Sequence, residues 1–155
     1  MSALRREIKQ VKPFQSLEVE AFLNLQRTAD VLMRGVAEAL KAADLSPTQY
    51  NVLRILKGAG APGLACREIG ERMVTRDPDI TRLLDRMEES GLVARSRDEK
   101  DRRVVTAKIT EKGAKLAKQM EQPLLDLHRR QFGHLGARKL RALVECLESV
   151  REEPG

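Results

Sequence analysis

Arg82 and Arg86 stand four residues apart in a segment whose remaining apolar positions fall on one side, so on a helix both guanidiniums project from the opposite side. A guanidinium can bond guanine at two points or hold a phosphate, and the carboxylate of Asp79, near the start of the segment, can accept from cytosine N4. Arg76 and Thr81 complete this candidate set with a further cation and a hydroxyl. A few residues on, "RSRDEKDRR" gathers Arg95, Arg97, Lys100, Arg102 and Arg103 around a turn that carries Asp101. A basic ribbon beside such a helix can drop an arginine into the minor groove of a duplex while the helix fills the major groove. Lys100, Asp101, Arg102 and Arg103 are therefore the second candidate set. A blander assignment stays open for both. Arg82 with Asp85, and Arg86 with Glu89, have the spacing of surface ion pairs, and a charge run is commonly a solvated turn.

Other chemistry finds little support. The chain lacks a Ser-His-Asp or Cys-His arrangement with supporting motifs, a glycine loop for phosphate, and metal-ligand spacing, so neither enzyme, cofactor site nor metal site is expected. His128 and His134 are six residues apart rather than the four of a helical chelate. Cys66 and Cys146 form no disulfide framework. Cys66 reads as a small, partly buried side chain, with a redox switch as the sharper alternative, and Cys146 as core or interface. Lys and Arg outnumber Asp and Glu by 29 to 23, a net charge of +6, which suits a polyanionic partner. Aromatic residues make up only 3%, too few for the stacking platforms of single-strand binders. No signal peptide and no apolar run of the roughly 18 residues that span a bilayer is evident, so a cytoplasmic protein without a membrane partner is expected.

The elements that must position these residues can be read from period and punctuation. Ser16 to Ala42 carries apolar residues at spacings of three and four and reads as a long helix. Ser46-Pro47-x-Gln49 is a capping box with proline at the first helical position, opening a helix that should run to about Lys57 and stop at Gly58. "GAGAPG" reads as a loop. A short helix over Cys66–Met73 and a second capped by Asp77, with Pro78 first and Ile80, Leu83, Leu84 and Met87 inward, have helix-turn-helix proportions. Leu92–Arg97 and Arg103–Ile109 then alternate as a hairpin, with Val105, Ala107 and Ile109 on one face. Thr110 can cap a helix from Glu111, which Pro123 must kink or interrupt, and a last helix covers about Ala137–Glu152.

The predicted fold is therefore mainly α with a small β-hairpin wing. Residues 45–113 form a winged helix-turn-helix lobe, and residues 1–42 and 114–155 a helical dimerisation lobe, within one chain of 1–155. Phe14, Leu17, Leu124, Leu127, Leu140, Leu143, Val144 and Leu147 are the candidate dimerisation residues, with core packing as the default for Leu124 and Leu127.

From Asp79 to Gly113 the chain resembles the MarR family of bacterial regulators. The match includes the wing signature Asp98-x-x-Asp101-x-Arg103, Gly91-Leu92-Val93-x-Arg95, and Ile109-Thr110-x-x-Gly113. The resemblance implies an obligate homodimer with interleaved first and last helices, the helix from Asp77 to Ser90 in the major groove, and Arg103 in the minor groove with Asp101 orienting it. It implies double-stranded DNA with an inverted repeat as partner, repression, and release by a small-molecule effector between the lobes. Ala65 departs from the family's Ser or Thr cap, and Gly136 and Lys139 from the Ser-x-x-Glu that usually starts the last helix. The cysteine of the peroxide-sensing branch is absent from the start of the first long helix.

Overall fold

The computed structural model describes residues 2–152 and falls into two units, the first ending at Gly35 and the second beginning at Val36. The last residues of the expected dimerisation region, 153–155, lie outside the described residues.

The first unit holds α1 (Ala3–Glu7) and most of α2 (Leu17–Leu40). α1 is too short to carry a periodic signal in the sequence; it is a single turn that buries Leu4. The Arg5 guanidinium donates to the Val11 carbonyl, and Arg27 pairs with Glu7 at 3.4 Å.

In the second unit the chain completes α2, makes a 3-10 turn over Lys41–Ala43, and continues through α3 (Pro47–Ala59), β1 (Leu64–Ala65), α4 (Cys66–Arg72) and α5 (Ile80–Glu89). The hairpin β2 (Val93–Arg97) and β3 (Val105–Ile109) follows, then α6 (Glu111–Phe132), a 3-10 turn, and α7 (Gly136–Arg151). This is the expected fold: helical, with a small antiparallel sheet. The Ser46 capping box is complete, since the hydroxyl accepts from Gln49 N–H at 3.2 Å and the Gln49 side chain accepts from Ser46 N–H at 3.0 Å.

Helix ends account for most departures. α3 runs through Gly58 to Ala59 and stops at Gly60, whose φ of 73° is open to glycine at little cost. α5 is capped by Asp79 rather than Asp77: Asp79 Oδ1 accepts from Arg82 N–H at 3.0 Å, while Asp77 Oδ1 accepts from Asp79 N–H at 2.8 Å. The two aspartates flank Pro78, and the first is consumed in the turn that presents the second. Pro123 does not interrupt α6. Pro123 and Gln119, whose carbonyl loses its donor, are both exposed, so water can take the missing bond. α7 has no side-chain cap, consistent with the missing Ser-x-x-Glu.

The sheet has three strands in the order β1-β3-β2, all antiparallel. β1 lies between the expected loop and the expected short helix, at two residues that the sequence assigns to no element and that are too few to show alternation. Its pairing of Ala65 with Thr106 holds the start of α4, where Ala65 offers no capping oxygen and only Glu68 returns a bond, at 3.0 Å, to Ala65 N–H. One core joins these elements: Val52, Leu53 and Leu56 of α3, Ile69 of α4, Leu83, Leu84 and Met87 of α5, Val93 and Ala107 of the sheet, and Ala117, Met120 and Leu124 of α6. Each fully buried Leu or Met contributes on the order of 1.5–3 kcal/mol. That burial fixes α5 about its own axis and so decides which residues face out.

Candidate nucleic-acid interface

Because Leu83, Leu84 and Met87 are committed to the core, Thr81, Arg82 and Arg86 emerge on the exposed side of α5, with Arg76 exposed in the turn before it. That turn is tied to α3 by Asn51 Oδ1, which accepts from Val74 N–H at 2.9 Å. Among the described residues neither Arg82 nor Arg86 has an ion pair; the surface pairs with Asp85 and Glu89 do not form. Asp79 stands at the same end, with one carboxylate oxygen occupied in capping. Arg82 and Arg86 line a groove of about 450 Å³ together with Ser46, Thr48 and Gln49 at the start of α3. Those three residues are absent from the sequence-derived site. The capping box marks them as a helix start, and only the groove they share with α5 shows that this start lies beside the arginines.

The wing is the loop 98–104, closed by Asp98 N–H to Val104 O at 2.9 Å and by Val104 N–H to Asp101 O at 3.0 Å. Asp98 Oδ1 accepts from the N–H of Lys100 and of Asp101, which sets the turn. Arg97 Nη1 donates to the Arg102 carbonyl at 2.7 Å. Asp101 then takes Arg103 at two levels. Its Oδ1 accepts from both the backbone N–H and Nε of Arg103 at 3.1 Å, and Oδ2 accepts from Nη2 at 3.4 Å. The Arg103 side chain is otherwise in solvent, 92% exposed. The neighbouring guanidinium holds the Asp101 carboxyl below the ordinary carboxylate range. Lys100 and Arg102 are exposed on the same loop.

Arg95 behaves differently from the other basic residues of its run. It turns inward, with its side chain only 19% exposed, and binds the carboxylates of Asp85 and Glu88 on α5. Arg95 belongs to the frame rather than to the outer basic surface. Period-two alternation carries the signal: Arg95 pairs across the hairpin with Ala107, which is fully buried, so the two share the inner face.

The dimerisation candidates separate by exposure. Leu124 lies in the chain's own core, and Leu127 packs half-buried against it. Phe14 is half-buried in the first unit, where Leu17 is exposed. On α7, Leu140 and Leu147 are half-buried and Leu143 and Val144 exposed; no residue of that helix is buried. Cys146 is exposed on α7 rather than in the core, and half-buried Cys66 directs its thiol to the Val105 carbonyl at 3.7 Å. His128 Nδ1 meets Gln131 Oε1 at 3.2 Å. Among the described residues no cluster of three His, Cys, Asp or Glu suits a metal, and no helix is long and apolar enough to cross a membrane.

The MarR family profile matches residues 45–105, from the residue before the α3 cap into β3. The Bacillus subtilis repressor MdtR is 32% identical over 103 residues, which cover 66% of this chain and 65% of MdtR. The chain therefore spans just under two thirds of that relative's length. A crystal structure of a MarR transcription factor from Planctomyces limnophilus superposes with a TM-score of 0.67 at 42% identity, covering 88% of this chain and 98% of that one. A mutant MarR from Escherichia coli, solved in complex with operator DNA, superposes with a TM-score of 0.78 at 25% identity over 97% of this chain and 100% of that one.

Proposed function

The chain belongs to the MarR family of transcriptional regulators, and from that premise we propose that it represses transcription by binding an inverted-repeat operator as a homodimer. α5 enters the major groove, where Arg82 and Arg86 meet base edges or phosphates, and Arg103 enters the adjacent minor groove. One observation carries this reading. Among the described residues the α5 arginines have no ion-pair partner, and the wing arginine is aimed outward by Asp101. Leaving such cations unpaired contributes nothing to folding, but each phosphate they neutralise releases condensed counterions.

The homodimer is supported by α7, which leaves Leu143 and Val144 exposed. Two-fold symmetry then asks for half-sites about one helical turn apart. Release by a small molecule, which the family resemblance implies, requires a ligand that favours a dimer geometry out of step with the groove. The relatives are regulators rather than enzymes, and a regulator of this kind acts in the cytoplasm, where two unpaired thiols stay reduced.

Selection of bound duplexes from random DNA with the purified protein is the direct test. Recovery of an inverted repeat whose affinity falls steeply with salt is the expected result. Recovery of no repeat, or equal retention of RNA, would replace this reading with a winged-helix interaction module. Within the selected operator, Arg82→Ala is expected to change which base is preferred at one position per half-site, a discrimination of about 1–3 kcal/mol. Affinities for the operator and its single-base variants measure this, and an unaltered preference would leave Arg82 without a reading role.

A further inference from the structure

We infer that Arg95 is a positioning residue that locks the wing to the reading helix, so that Arg103 and the α5 arginines engage DNA as one rigid unit. The inference rests on the DNA-binding reading above and adds to it a residue that never touches DNA. Asp85 and Glu88 lie one turn apart on α5, and Arg95 of β2 binds both. Glu88 holds it twice: Oε2 accepts from Arg95 N–H at 2.8 Å and Oε1 from the guanidinium at 3.1 Å. Two residues further along the same face, Arg97 donates to the Arg102 carbonyl, immediately before Arg103. Charge-assisted bonds thus tie α5 to β2 at Arg95 and β2 to the Arg102 carbonyl at Arg97, and the strand itself joins the two, next to the residue that carries the minor-groove cation. The same clamp occupies Asp85, which has the i+3 spacing to neutralise Arg82. The guanidinium of Arg95 is 19% exposed and its partner carboxylates on Asp85 and Glu88 are 50% and 41% exposed, so the clamp is held by its three-point geometry rather than by burial of its charges.

A rigid wing presents Arg103 at no further cost in ordering, whereas a loose one must be ordered on each binding event. The consequence is selective. In an Arg95→Met background, Arg103→Ala should cost less than about threefold in operator affinity, against at least about tenfold in the wild-type background. Arg86→Ala, whose neighbours at three and four residues include neither released carboxylate, should cost the same in both. A general loss of stability would reduce all contacts together and cannot produce that pattern. Fluorescence anisotropy with the selected operator reads each value. The Asp85→Asn/Glu88→Gln double variant gives a second route to the open clamp should Arg95→Met fold poorly, with the same selective loss expected. Arg95→Lys should restore part of the Arg103 contribution. If wild-type protein binds the operator but Arg103→Ala costs the same with and without the clamp, Arg95 is structural only and the inference falls alone. If wild-type protein binds no duplex, the DNA-binding reading falls and takes the inference with it.

Discussion

Arg103→Ala should bind every duplex more weakly, by about 1–3 kcal/mol for each half-site, while its unfolding and its dimerisation stay as in the wild type. The lack of a stability effect follows from geometry. The side chain is 92% exposed and among the described residues its ion-pair partner is Asp101 alone, and an exposed pair of this kind contributes little to folding. The binding effect follows from the same exposure, since a cation with one short-range partner keeps most of its donors for phosphates or for the narrow minor groove. Because minor-groove contact carries little base information, the loss should be nearly uniform across sequences, with a shallower salt dependence. Asp101→Asn separates aim from charge. An asparagine oxygen can still accept the Arg103 N–H, but the second level of the grip loses its charge, so a smaller loss is expected. Titration of fluorescent operator and of unrelated duplex at several salt concentrations reads all of this. Equal affinity for Arg103→Ala and wild type would remove the wing from the binding mechanism.

Local structure is legible in the sequence where one residue decides it, and illegible where a tertiary partner does. Ser46 and Thr110 cap the helices assigned to them because each supplies the acceptor that a helix start needs. The Asp98, Asp101 and Arg103 spacing is legible because the turn is built from its own side chains. Asp77 and Asp79 are equally good caps by type; their order is settled by which carboxylate the turn consumes. β1 is held by pairing with β3 and has no pattern of its own. Arg95 is hidden in a run of mixed charge, and the register that turns it inward is visible only through its opposite number, Ala107. At the site, the outward arginines of α5 follow from the apolar face alone, whereas the proximity of Ser46, Thr48 and Gln49 depends on the tertiary arrangement that places them in the same groove.

Gly113→Ala should destabilise the protein by about 1–3 kcal/mol, against the direction that helix propensity alone dictates. Gly113 is the third residue of α6, where alanine would ordinarily be favoured by up to about 1 kcal/mol. Here a Cβ would overlap the Leu92 carbonyl oxygen and lie 3.1 Å from Ile109 and 3.2 Å from Leu53. The nearest of these is backbone one residue before β2 and cannot rotate away. It is also in use, since Leu92 O accepts from Thr110 N–H at 3.1 Å, and the Thr110 hydroxyl both donates to Gly91 O and accepts from Gly113 N–H. Accommodating one methyl group therefore means separating α6 from the hairpin and stretching the cap that opens the helix. For a chain of this size the expected fall in melting temperature is about 3–10 °C. Gly70→Ala is the matched control. That glycine is interior to α4 with nothing within 4 Å of the place its methyl group would take, so propensity should prevail and stability should rise slightly. Thermal unfolding of the two variants side by side measures the contrast, and a Gly113→Ala protein as stable as Gly70→Ala would show that β2 and α6 do not approach so closely.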